Sequence, residues 1–179
     1  MRANLSTVAL LAGLAIAASS GAAEQRCDTS EFPLSMPSDR FIEHDDGTVT
    51  DTLSGLMWTR CAVGQQWTAD GCAGDAARFG WDALESAAER ANSDGSLFFN
   101  DWRVPSLRSL AMLIERQCQN PRTNVAIFPG TPVDFFWTST LRPGDESSGA
   151  AYALSFGPSG VEHRDRQEEH HLRLVRTAQ

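Results

Sequence analysis

Apolar residues recur at helical spacing in two stretches of the chain and alternate over two residues elsewhere, a pattern that predicts two helices among several strands. Trp81, Leu84, Ala87, Ala88 and Ala91 mark one helical face, with Glu85 and Glu89 outside it and Asn92-Ser93-Asp94-Gly95 as the stop. A second stripe, Leu107, Leu110, Leu113 and Ile114, predicts a helix to about Cys118, ended by Asn120-Pro121. Just before it, Asn100 to Val104 reads as a short half-buried strand built around Trp102. Pro105 breaks that strand, and Ser106 is placed to cap the helix by accepting a first-turn N–H.

The alternating runs place the strands. Arg40-Phe41-Ile42 opens the first, and Asp45-Asp46-Gly47 is a turn. Thr48-Val49-Thr50 and Leu56 to Arg60 predict a hairpin around Asp51-Thr52-Leu53-Ser54-Gly55. Gly64 to Phe79 reads as a loop of small residues with the Trp67 ring packed beneath it, and Asn124 to Gly130 as an irregular covering loop. Phe135 to Thr140, Ala151 to Phe156 and Leu172 to Arg176 are further strands, the last alternating. Gly157-Pro158-Ser159-Gly160 turns the middle one into Val161-Glu162-His163, and Arg142 to Gly149 is a polar loop. Two helices ahead of a run of strands argue for an α+β fold, with the helices packed on an antiparallel β-sheet. Trp58, Trp67, Trp81, Trp102 and Trp137 sit beside apolar neighbours, so most are expected in the core.

The first residues do not follow this pattern. Arg2, the apolar run Val8 to Ala18 and the small residues Ser19 to Ala23 make a signal peptide over 1–23, cut before Glu24. The run is too short to span a bilayer, and no later stretch is apolar enough to do so. The remainder divides into an N-terminal arm, 24–38, and one domain, 39–179, in a periplasmic or secreted protein. The net charge is −8, and all 15 basic residues are Arg. Such an acidic chain gains nothing from counterion release on a polyanion, so nucleic acid is not an expected partner. An even number of cysteines in an exported chain predicts two disulfides out of three possible pairings. Cys61 and Cys72 flank one short segment and are paired, leaving Cys27 with Cys118; the lack of any C-x-x-C argues against zinc.

Set in order, Arg40-Phe41, Gly47 to Asp51, Ser54 to Trp58, Cys61, Cys72-Ala73-Gly74, Trp81 to Leu84, Asp101 to Pro105, Phe128-Pro129, Phe136 to Ser139 and Leu174-Val175-Arg176 form a recognisable series. The chain resembles the Legionella-collagen-like (Lcl) C-terminal domain family over roughly Asp39 to Arg176. The resemblance implies a C-type-lectin-like fold, with two helices and the chain ends paired in one sheet. It also implies adhesion or glycan recognition, which in the best-known branch is carried at the end of a collagen-like stalk. Two departures weaken a sulfated-glycan ligand here: the chain is acidic and has no Gly-x-y repeat. Ser109 stands where the family commonly has an acidic residue, which removes the capping-box partner of Ser106.

Candidate chemistry is sparse. No G-x-S-x-G elbow is present, and oxidised cysteines offer no thiolate, so no catalytic residue is expected. Asp45, Asp46 and Asp51 lack the further ligands of a calcium loop and read as turn residues. Glu168-Glu169-His170-His171 with His163 reads as a solvated charged loop, not a metal site, and no cofactor is implied. Asp101 and Arg103 face the same way and are expected to pair, with a ligand-facing Arg103 as the second reading. Any ligand surface is expected on the loops carried by the sheet, at Arg142, Arg164 and Arg166. The expected function is a non-enzymatic binding domain for a glycan or an envelope protein. A structural or accessory subunit of an envelope assembly comes second, and a hydrolase or metal-dependent enzyme third.

Overall fold

The computed structural model of the chain describes residues 24–95, 97–144 and 149–178. The predicted signal peptide and residues 145–148 of the predicted polar loop lie outside these. The described chain is mostly β-structure with two short helices and two disulfides, Cys27–Cys118 and Cys61–Cys72, which are the expected pairs.

Four strands make the first sheet: β2 (Phe41–Glu43), β3 (Thr48–Asp51), β4 (Leu56–Thr59) and, from the far end of the chain, β11 (Val175–Thr177), in the order β11-β4-β3-β2. The predicted hairpin is β3–β4, with Val49 opposite Trp58. Asp51 fixes its turn, accepting from Leu53 N at 3.1 Å and from Ser54 Oγ at 2.6 Å, while Arg40 binds both of its oxygens. The ends of the domain therefore share one sheet but lie on its opposite edges, with β3 and β4 between them. A second sheet, β10-β9-β8, is formed by β8 (Phe135–Trp137), β9 (Ala150–Ser155) and β10 (Val161–Asp165). His171 links the two sheets by bridging to Phe136, its backbone bonded to Phe135 and Trp137. The predicted loop at Gly64–Phe79 contains a small hairpin, β5 (Gln66–Thr68) with β6 (Gly71–Ala73). The N-terminal arm is held by β1 (Arg26–Cys27) pairing with β7 (Cys118–Gln119).

Helix α1 (Leu84–Ser93) buries Leu84, Ala87 and Ala88, the predicted face. Helix α2 (Leu107–Ala111) begins as predicted, with Ser106 Oγ accepting from Ser109 N, and the Ser109 hydroxyl donates back to the Ser106 carbonyl. It ends seven residues before Cys118, a correction to the expected length. Tight turns of the i→i+3 type take over at Leu113 and Ile114. Glu115 then accepts from the backbone N–H groups of Ser35, Met36 and Gln117, a set of bonds incompatible with a continued helix.

Successive residues on the central strands fall into two different hydrophobic clusters. Trp58, Phe136 and Val175 belong to one; Met57, Phe135 and Leu174 belong to the other. Both faces of these strands are thus covered, and all five residues from Leu172 to Arg176 are buried, Arg173 and Arg176 among them. Trp58, Trp102 and Trp137 are core residues, while Trp67 and Trp81 are half-buried.

Candidate functional site

A cleft of about 710 Å³ opens between α1, the β2–β3 turn and the Cys61–Cys72 loop. Its floor is apolar, made of Ala62, Val63, Phe79 and Leu174, and α1 contributes the small side chains of Ala87 and Ala91. Its polar lining consists of Asp46, Thr59, Gln65, Gln66, Arg90 and Asp94, with Trp67 on the side of the disulfide loop. Trp67 is held in place from below. The Arg60 guanidinium lies 4.2 Å from its ring centre, and Arg60 itself is fixed by Glu43 at 2.7 Å and by the carbonyls of Ile127 and Ala126. Gly47, at φ +80°, packs so closely on Trp67 that an added Cβ would overlap the indole. Asp46 is oriented by Thr48, whose N–H and O–H both donate to Oδ1, at 3.0 and 2.6 Å. These bonds bear out the turn reading of Asp46.

The arginines singled out from sequence lie elsewhere. Arg164 stacks on Phe135 at 4.2 Å and reaches Glu162 and Glu168, so its charge is already balanced. Arg166 stacks on Trp81 at 4.4 Å. Arg142 is exposed beside residues 145–148. Arg103 is exposed and borders a separate hollow of about 420 Å³ with Arg108, Ser54 and Ser106. The expected Asp101–Arg103 pair is replaced: Asp101 binds the buried Arg176 guanidinium, at 2.5 and 3.3 Å, which also lies 3.7 Å from the Phe99 ring centre. That hydrogen bond is the main cause holding the Asp101 carboxyl below its ordinary value.

His170 and His171 are buried, which corrects the expectation of a solvated loop. His170 lies against Trp137 and Phe135, and His171 against Phe136, with its Nδ1 3.0 Å from the Ala77 carbonyl oxygen. Burial pushes both imidazoles below their ordinary value. Among the described residues no group of three His, Cys, Asp or Glu side chains is arranged to hold a metal.

The family model described as the Lcl C-terminal domain matches residues 47–176, a span that holds the β10-β9-β8 sheet, strands β3 and β4 of the first sheet and all of the cleft lining except Asp46. The chain belongs to the Lcl C-terminal domain family. No curated protein matches it. In this Lcl C-terminal domain the cleft residues come from stretches far apart in sequence, so no local motif announced them. The one available signal was Gly47 beside a turn aspartate, and it was read as turn chemistry alone. Among the described residues no helix is long and apolar enough to cross a membrane.

Proposed function

We propose that this is an exported, non-enzymatic binding domain that recognises a glycan or a protein at the bacterial envelope, in the periplasm or outside the cell. The observation that carries the reading is the cleft: preformed, apolar at its floor, polar at its rim, and held by a disulfide and by Arg60. The two disulfides fit an oxidising compartment, in keeping with a signal peptide at 1–23. A C-type-lectin-like architecture is proposed as well, supported by two helices and by domain ends that share one sheet.

A glycan array probed with the mature, disulfide-bonded protein, run beside a pull-down from the native envelope fraction, tests this. Saturable binding of a glycan or of one envelope protein is expected. Turnover of a bound glycan, read as new reducing ends, would overturn the non-enzymatic reading.

A further inference from the structure

We infer that the cleft between α1 and the Cys61–Cys72 loop binds an uncharged saccharide, with Trp67, Asp46, Gln66 and Arg90 as its contacts. This rests on the glycan branch of the function proposed above and specifies its ligand class and its location.

The geometry is that of a prearranged aromatic platform. Trp67 is packed on by Gly47 and by the Arg60 guanidinium, so little rotamer freedom is left to lose on binding. Its ring nitrogen makes no hydrogen bond among the described residues, whereas those of Trp81 and Trp137 donate to backbone carbonyls. Around it stand planar polar groups suited to pairs of neighbouring hydroxyls. Among the described residues Thr48 engages Oδ1 of Asp46 and leaves Oδ2 as an acceptor, Gln66 offers an amide, and Arg90 a guanidinium that gives one bond, to Ser86.

The charges decide between ligand classes. A sulfated or carboxylated ligand would meet the carboxylates of Asp46 and Asp94 against the single guanidinium of Arg90, in a chain of net charge −8. A cationic peptide would have to displace or tolerate Arg90. A polyhydroxyl ligand satisfies donors and acceptors alike, and its C–H faces suit Trp67 and the Ala87–Ala91 wall. At about 710 Å³ the cleft lies in the size range of small-molecule sites.

The test uses the full mature protein with both disulfides intact and a panel of uncharged di- to tetrasaccharides, each matched with a sulfated counterpart. Binding is followed by calorimetry and saturation-transfer NMR. The expected result is binding of at least one uncharged member with little dependence on salt. Trp67→Ala should weaken it by about tenfold or more, and Gln66→Ala and Arg90→Ala should weaken it less. Both of these alter exposed side chains, so they keep the test valid should Trp67→Ala fail to fold. Arg164→Ala should bind as the parent does. Binding of sulfated members only, lost on changing Arg103 and Arg108, overturns the inference and leaves glycan recognition standing. Capture of an envelope protein with no saccharide bound also overturns it, and leaves the protein branch standing. No binding of either kind removes both.

Discussion

Phe135 and Phe136 are neighbours on β8, yet the arginines that stack on them live in opposite circumstances. On the Phe135 side, Arg164 is 31% exposed and shared between Glu162 and Glu168. On the Phe136 side, Arg173 is 1% exposed, lies 4.8 Å from the Phe128 ring centre, and has no carboxylate partner among the described residues. It donates instead to the carbonyls of Thr59 and Arg60 and to Thr131 Oγ1, and burial pushes its guanidinium down to about 9. A guanidinium can therefore be either a solvated clamp or an internal strut that ties β4 to the last strand. The planar fork serves both tasks, stacking on a ring while donating to several oxygens at once.

The two sides should separate sharply on substitution. Arg173→Ala removes the strut, opens a cavity and strands two carbonyls, and should lower stability by about 3–5 kcal/mol in chemical denaturation. Arg173→Met keeps most of the volume and isolates the lost hydrogen bonds, at about 1–3 kcal/mol. Equal losses for the two variants would show that packing around Phe128 contributes nothing.

Acid offers a third probe, because one histidine lies on each side. Both have folded-state values depressed by burial, so the unfolded chain binds more protons between those values and the ordinary imidazole range. Their stabilisation is complete above about pH 6.5 and is lost as pH falls through the folded values. The melting temperature should decline as pH drops below that point, and His171→Gln should flatten part of the decline. Asp51 adds a later loss at lower pH: burial raises its carboxyl, but the bonds from Arg40, Ser54 and Leu53 outweigh this and hold it low. Smallest of all, Arg164→Ala should change stability by less than about 1 kcal/mol, since its ion pairs are partly solvated. A loss as large as that of Arg173→Met would erase the distinction between the two faces.

These contrasts explain what could be read from sequence. The β3–β4 hairpin, the Ser106 cap and the buried face of α1 depend on residues within about a dozen positions of one another, and all three were legible. The length of α2 was not, because Glu115 stops it by binding Ser35 and Met36, about 80 positions away in the chain. Arg173 and Arg176 stand three positions apart, hence on opposite faces of an extended chain, and nothing local reported that both faces are covered. His170-His171 stood in a charged stretch, and the rings that bury them come from β8. The cleft was invisible for the same reason: Asp46, Trp67, Arg90 and Leu174 converge only after the hairpins and α1 are packed.

The Cys27–Cys118 bridge has a mechanical consequence. A load applied between the arm and the final strand passes through the sulfurs of two cysteines that stand 91 positions apart and bypasses the chain between them. Stretching can pay out only the chain from Cys118 to Thr177, on the order of 200 Å at full extension. The first hairpin, the Cys61–Cys72 loop and α1 all lie inside the bypassed stretch, so the walls that come from them are never pulled taut while the bridge holds. A domain tethered at both ends would in this way keep most of its cleft under tension.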